Sequence, residues 1–141
     1  MSEAPVRIRF SNASVEFPTA QGPMRVLDKV SFDIRQGEFV SIIGPSGCGK
    51  TTMMNIVAGF LQPSSGSVTI DGKAIAGPGP ERGVIFQEYG IFPWLTVRDN
   101  IAFGLRLAAS SVKPGERDAI VARYMTLMGL ADFADHFPKH L

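Results

Sequence analysis

The sequence predicts an α/β fold, and two changes in residue pattern along its 141 residues support that prediction. Up to about Ile75, apolar residues mostly alternate with polar ones, as in strands that bury one face. Beyond Phe86, apolar residues recur at every third or fourth position, as in amphipathic helices. A glycine-rich segment at residues 44–49 lies between the early strands and the first helix.

The half-buried strands are predicted from this alternation. Ile8 and Phe10 alternate with arginines, and residues 30–34 alternate in the same way. A further strand is predicted at residues 67–70, where an Asp-Gly pair typical of tight turns stops it. We expect the first two of these strands to place one face on a core and the other in solvent.

Two more strands are predicted from continuous apolar runs, and the first of them is expected to be buried on both faces. The first covers residues 38–43 and leads directly into the glycine-rich segment. The second covers residues 83–86 and ends at Gln87.

Three helices are predicted. The first covers residues 51–58 and is closed by Gly59. In the C-terminal third, one helix is capped by Thr96 and Asp99, and another is ended by Gly129. The positions predicted to share an apolar face are Val97, Ile101 and Leu105 in the former, and Ile120, Tyr124, Leu127 and Met128 in the latter.

Composition and charge argue against several function classes. Apolar residues make up 45% of the chain and charged residues 19%, and the formal net charge of +1 includes no basic run suited to nucleic acid. No apolar run approaches the roughly 20 residues that cross a bilayer, and the N-terminus lacks a secretory core. The single cysteine, Cys48, allows no intrachain disulfide. We expect the chain in the cytosol, where it can dock on a membrane protein.

The sequence Gly-Pro-Ser-Gly-Cys-Gly-Lys-Thr at residues 44–51 matches the spacing of a phosphate-binding loop. Its glycines let successive backbone N–H groups converge on phosphate oxygens, and the following helix adds the positive end of its dipole. Lys50 can reach the outer phosphates, and the Thr51 hydroxyl is placed to ligate Mg²⁺. The residues predicted to bind the nucleotide, ATP with Mg²⁺, are Gly44, Pro45, Ser46, Gly47, Cys48, Gly49, Lys50, Thr51 and Thr52.

Two alternatives accompany this prediction. Glycines and a lysine can form an ordinary turn with a solvated charge, but the full spacing between a strand and a helix favours phosphate binding. For Cys48, a small residue that fills the loop is a better interpretation than a catalytic thiol.

Residues 44–52 and 84–105 together closely resemble the ATP-binding cassette family, and the resemblance covers nearly the whole chain. In that family the first segment is the Walker A loop and the second contains the Q-loop. The resemblance implies a P-loop NTPase core with an N-terminal antiparallel β subdomain and part of an α-helical subdomain. The division is expected at about residues 1–87 and 88–141, with the helical part incomplete.

The resemblance also implies roles for two residues outside the loop. Gln87 would contact Mg²⁺ and the attacking water, and so act in catalysis together with Lys50. An ordinary polar strand end is the alternative for Gln87. Phe17, placed in a loop before Gly22, would stack on adenine, and a core phenylalanine is the alternative.

The partners implied by the resemblance are transmembrane permease subunits, a second copy of the chain as a homodimer and, indirectly, a solute-binding protein. The apolar segment 91–95 would receive the permease, or its side chains Phe92, Trp94 and Leu95 would pack under the helices. The sequence is similar to bacterial importers of the nitrate, sulfonate and taurine group. The implied location is peripheral, on the inner face of the cell membrane.

The chain departs from the family where it stops. Residues 136–141 lie where family sequences continue into the signature motif, with Leu141 as its first residue. The Walker B strand with its Asp-Glu pair and the switch histidine lie beyond that point. We therefore expect the 141 residues alone to be inactive and to have unpaired strand edges. A non-catalytic nucleotide-binding fragment and, less favoured, a P-loop nucleotide kinase are the alternative functions.

Overall fold

The computed structural model describes residues 4–87, 90–107 and 110–140. These residues fall into two compact units, of which the first extends to Val84 and the second begins at Ile85. Each unit has its own hydrophobic core. Glu88, Tyr89 and Leu141, which belong to the motif segments named above, lie outside the described residues.

A four-stranded antiparallel sheet forms the base of the first unit, in the order β2-β1-β3-β4. Its strands are β1 (Val6–Thr19), β2 (Gly22–Arg35), β3 (Ser65–Ile70) and β4 (Lys73–Ala74). The predicted alternation is confirmed, because Phe10 is buried and stacks on Phe32, with ring centroids 4.6 Å apart. On the opposite face, the Arg9 guanidinium donates two hydrogen bonds of 2.8 Å to the Asp33 carboxylate. These bonds hold the pKa of Asp33 below its ordinary value.

Helix α1 (Lys50–Ala58) packs on this sheet through Ile56, which is 1% exposed. The helix begins one residue before the predicted start. It ends at Gly59, whose φ of 85° confirms the predicted left-handed stop. The buried core of the unit comprises Phe10, Ala13, Val15, Leu27, Ile56, Val68 and Ile75.

The two strands predicted at residues 38–43 and 83–86 are wrong. Both segments are irregular, and Phe39, Ile43 and Ile85 are 93%, 91% and 100% exposed. A strand buried on both faces needs hydrogen-bond partners on its edges and apolar cover on both sides. Among the described residues no strand pairs with either segment, so the apolar runs lack the partners that would order them.

The second unit contains α2 (Val97–Arg106), α3 (Pro114–Leu127) and two short 3₁₀ turns, Ala131–Phe133 and Pro138–His140. The predicted cap of α2 is confirmed, because the Thr96 hydroxyl accepts the Asp99 N–H at 3.1 Å. The predicted stop after α3 is confirmed by Gly129, which has a φ of 67°. No helix among the described residues has the length and apolarity that crossing a bilayer requires.

The predicted apolar face of α3 is wrong by one position. Val121 and Met125 are each 3% exposed and pack with Ala102 of α2. The predicted positions Tyr124, Leu127 and Met128 are 51%, 72% and 68% exposed. Apolar residues occupy both the predicted positions and the positions one residue away that are buried. The spacing of apolar residues therefore does not decide which face of α3 is buried.

Candidate functional site

The predicted phosphate-binding segment is a tight bend that ends at the first residue of α1. The Cys48 N–H donates to the Pro45 carbonyl at 3.4 Å, which closes the turn. Gly47 and Gly49 have φ values of 82° and 91°, in the left-handed region that side-chain-bearing residues rarely adopt. The backbone path therefore requires glycine at both positions, as the motif predicts.

Close contacts add a second requirement for two glycines. A Cβ at Gly49 would lie 2.8 Å from Leu27 Cδ2 and 3.1 Å from the Val26 carbonyl, because the segment lies against β2. A Cβ at Gly44 would lie 2.7 Å from Cys48 Sγ. Sequence reasoning missed Val26 and Leu27 as the surface that supports the segment, since nothing in their spacing distinguishes them from other strand residues.

The Lys50 side chain is folded back over the segment that precedes it. Its ammonium donates to the carbonyl oxygens of Gly44 at 2.8 Å and Pro45 at 2.7 Å, and it lies 3.6 Å from Cys48 Sγ. An ammonium has three donors, so these contacts involve its full hydrogen-bonding capacity. A phosphate that binds Lys50 must replace at least one of them, and the thiol contact is the weakest.

The first turn of α1 supplies the other donors. The first N–H groups of a helix have no intrahelical acceptors, and here they belong to residues 50–52. The Gly49 N-cap offers no side-chain acceptor, and the first turn contains no acidic residue. The positive end of the helix is therefore not compensated locally, which suits an anion such as a phosphate.

Thr51 is the loop residue suited to ligate Mg²⁺, and it is exposed at the helix start. Among residues 4–87, 90–107 and 110–140, no three His, Cys, Asp or Glu side chains cluster as a metal site. Mg²⁺ often takes few protein ligands and completes its shell with phosphate oxygens and water. One hydroxyl beside a phosphate site fits that mode of binding.

Phe17 lies elsewhere than predicted. It belongs to strand β1, opposite Met24 of β2, and not to a loop. Its side chain is half-buried and packs against the core of the first unit. Phe17 thus makes the packing contact expected of a core phenylalanine, which was the alternative interpretation. Its contact with adenine stays a prediction.

The other predicted residues lie in the second unit. Gln87 is exposed in an irregular segment rather than at the end of a strand. Phe92 packs on Phe103, with centroids 4.3 Å apart, whereas Trp94 is 69% exposed. Leu95 is half-buried, so the apolar cluster has both packed and exposed members.

Sequence reasoning missed the residue that holds this apolar segment in place. The side chain of Asn100 accepts the Phe92 N–H at 2.7 Å and donates to the carbonyls of Phe92, Leu95 and Thr96 at 2.9–3.1 Å. An asparagine in a helix gives no sign of such contacts, because its partners are backbone groups several residues away.

Comparison with known protein families connects these features. The profile of the ABC transporter family matches residues 27–141, which include the glycine bend, α1 and the whole second unit. The chain belongs to the ABC transporter family. Residues 44–51, the segment that resembles the Walker A loop of that family, lie within the matched range.

Individual relatives agree with this assignment. The chain is 52% identical over 136 residues to an ATP-binding protein of Brucella abortus, covering 96% of this chain and 50% of the relative. It is 40% identical to the nitrate import ATP-binding protein NrtD of Synechococcus elongatus, covering 95% of this chain and 49% of the relative. It is 41% identical to the bicarbonate transport ATP-binding protein CmpD of Synechocystis, covering 95% of this chain and 48% of the relative. The chain thus spans about half the length of the curated relatives it matches.

Solved structures confirm the fold as that of a P-loop ATPase cassette. The dimeric ABC transporter cassette MJ0796 matches with a TM-score of 0.79 and 29% identity, over 95% of this chain and 62% of that one. A dimeric post-hydrolysis state of the same cassette, bound to ADP and Pi, matches with a TM-score of 0.75 and the same identity and coverage. The antiparallel sheet of the first unit and the helices of the second therefore form part of such a cassette.

Proposed function

We propose that this chain belongs to an ATP-hydrolysing motor subunit of a bacterial-type ABC importer, which energises solute uptake through transmembrane partners. The observation that carries the proposal is the glycine bend at the start of α1, onto which the Lys50 ammonium is folded and from which the uncapped first turn of the helix begins. The relatives named for nitrate import and bicarbonate transport support an importer of small solutes.

Each predicted site residue has a proposed role. Residues 44–52 bind the phosphates through backbone N–H groups, and the Lys50 ammonium binds the outer ones. Thr51 and Gln87 hold Mg²⁺, which neutralises phosphate charge when it is bound. Gln87 also orients the attacking water, since an amide can donate and accept without adding charge. Phe17 contacts adenine through the part of its ring that the core leaves exposed.

The proposed partners follow from the second unit and from the relatives. The segment 91–95 exposes Trp94 and half of Ile91, which suits an apolar contact with permease subunits on the inner face of the membrane. A homodimer is proposed because the cassette MJ0796 is dimeric. A solute-binding protein would act through the permease and not touch this chain.

A second candidate is a nucleotide-binding fragment without catalysis. It is favoured by the lack of an Asp-Glu pair anywhere in the 141 residues. Phosphoryl transfer needs groups that position metal and water together, so binding can persist where turnover does not.

The test compares two proteins, the 141-residue chain and a chimera that extends it with the C-terminal half of the Brucella abortus relative. ATP binding is measured by calorimetry, and phosphate release is measured in the same buffer with Mg²⁺. We expect both proteins to bind ATP and only the chimera to release phosphate. Binding by both without release supports the non-catalytic candidate, and no binding by either contradicts the proposal.

A further inference from the structure

A largely buried guanidinium lies at the C-terminal end of α1, away from the Walker A loop. The Arg82 side chain is 12% exposed. Its Nη1 donates to the Val57 carbonyl at 3.0 Å, and its Nη2 donates to the Gly77 carbonyl. The Glu81 carboxylate lies 2.9 Å from Nη2 and offsets the charge. Arg82 thus joins the last turn of α1 to the loop of residues 77–82.

The Arg82 guanidinium lies where the last carbonyls of α1 require hydrogen-bond donors. The last carbonyls of a helix lack intrahelical donors. Those of Asn55 and Ile56 accept backbone N–H groups from the residues that follow α1. The Val57 carbonyl accepts from Arg82 instead, and a cation there also complements the negative end of the helix dipole.

The 77–82 loop is in direct contact with the helix end. A Cβ at Gly59 would lie 2.2 Å from the Gly77 carbonyl oxygen and 2.7 Å from the Pro78 nitrogen. The planar fork of a guanidinium can bind two carbonyls in different segments at once, which the single nitrogen of a lysine does less well. Arg82 is therefore suited to fix this contact rather than merely to neutralise Glu81.

Lys50 and Arg82 act on opposite ends of the same helix. Nine residues of α-helix span about 13 Å, so Arg82 is too far from the Walker A loop to touch a phosphate held there. We propose that Arg82 is a positioning residue of the nucleotide site. By tying α1 to the 77–82 loop, it keeps the first-turn N–H groups and Lys50 oriented for phosphate binding. This inference rests on the proposed ATP binding.

The test measures ATP affinity in the 141-residue chain by calorimetry, at a low temperature where circular dichroism shows each variant folded. Arg82→Ala is expected to weaken ATP binding about fivefold, which is less than the full loss of its two hydrogen bonds because Arg82 acts on the nucleotide only through α1. Arg82→Lys should not restore affinity. Millimolar guanidinium, well below the molar range that unfolds proteins, should restore it in Arg82→Ala. The control, Arg25→Ala, removes an exposed arginine paired with Glu16 and should show neither effect.

Two results would overturn the inference. One is an ATP affinity of folded Arg82→Ala equal to that of the wild type, and the other is a loss of affinity that guanidinium does not reverse. The second result would indicate a purely structural role. If Arg82→Ala does not fold, Arg82→Gln takes its place, because its amide can still donate to Val57.

A separate measurement keeps this inference distinct from the proposed function. Hydrogen exchange of the α1 amides, measured without nucleotide, should be faster in Arg82→Ala than in the wild type. If the wild type does not bind ATP, the proposed function fails. The exchange rates then still decide whether Arg82 holds the helix, and equal rates would refute that role.

Discussion

The ammonium nitrogen of Lys50 lies 2.8 Å from the carbonyl oxygen of Gly44, so the cation is folded into the loop that leads to its own helix. The carbonyls of Gly44 and Pro45 keep the charge in place, and the first turn of α1 leaves its N–H groups without a side-chain cap. A phosphate that binds Lys50 would replace one of its contacts, of which the one with Cys48 Sγ at 3.6 Å is the weakest. The fold of this loop therefore suits the proposed phosphate binding.

Lys50→Met is predicted to weaken ATP binding by roughly ten- to a hundredfold, because charge-assisted hydrogen bonds to phosphate are lost. Helix content should not change, since the lysine side chain is not part of the core. Calorimetric titration with ATP measures the effect. The matched control is Lys73→Met, which removes a lysine from the exposed β4 hairpin. Equal affinities in the two variants would contradict a phosphate-binding role for Lys50.

Cys48 is predicted to be protected by ATP from modification with a maleimide. The thiol is exposed and lies inside the Walker A loop, where bound phosphates would restrict access. Labelling is read by mass spectrometry, and the single cysteine makes it site-specific. Cys48→Ser gives the background. Labelling at the same rate with and without ATP and Mg²⁺ would count against nucleotide binding at this loop.

The elements predicted correctly have local signals. Gly59 closes α1 because its left-handed conformation is available to glycine, and Thr96 caps α2 because its hydroxyl reaches an N–H three residues ahead. The Walker A loop is equally local, since its glycines and Lys50 are adjacent in sequence. Each of these three signals is carried by residues that are neighbours in the sequence.

The features that the sequence did not predict depend on distant partners. The run at residues 38–43 predicts burial, but Phe39 is 93% exposed because a buried strand forms only where neighbours exist to pair with it. In the sequence, Arg82 resembles a solvated charge in a loop of prolines and glycines. Its hydrogen-bond acceptors are the carbonyls of Val57 and Gly77, which are 25 and 5 residues away. Low solubility of the 141-residue chain stays a prediction, supported by these exposed side chains.

Asn100→Ala is predicted to destabilise the second unit by about 2 kcal/mol, because it leaves the Phe92 N–H and the Leu95 carbonyl without their partner. The Phe92 and Thr96 carbonyls keep backbone N–H donors. Urea unfolding followed by the fluorescence of Trp94 measures the change, since Trp94 lies in the segment that Asn100 holds. Asn100→Asp keeps the acceptor but places a negative charge beside the carbonyls, so it should be at least as destabilising at neutral pH.

The control for Asn100 is Arg98→Ala, which removes an exposed ion pair with Asp135 at 3.3 Å. Such pairs contribute well under about 1 kcal/mol, so its unfolding midpoint should stay close to that of the wild type. An Asn100→Ala midpoint that matches the control would show that water replaces the lost hydrogen bonds.

Asp99 is predicted to make the second unit less stable in acid. The Thr96 hydroxyl and the Arg106 guanidinium hydrogen-bond its carboxylate and hold its pKa below the ordinary value, against a smaller opposing effect of burial. A carboxyl with a lowered pKa in the folded state stabilises that state while it is ionised. Its contribution is therefore complete above the unfolded pKa of about 3.9 and is lost as the pH falls through and below that value.

Asp99→Asn tests this prediction, because an amide cannot ionise but nearly preserves the shape of the side chain. The variant should unfold at lower urea concentration than the wild type at neutral pH, and the difference should shrink as the pH is lowered from about 5 towards 3. Asp132→Asn, in the exposed turn Ala131–Phe133, is the control. If the ionised carboxylate of Asp99 stabilises the unit, the unfolding midpoints of the wild type and Asp99→Asn should converge as the pH falls. A difference in midpoint that stays constant with pH would indicate lost packing rather than lost charge.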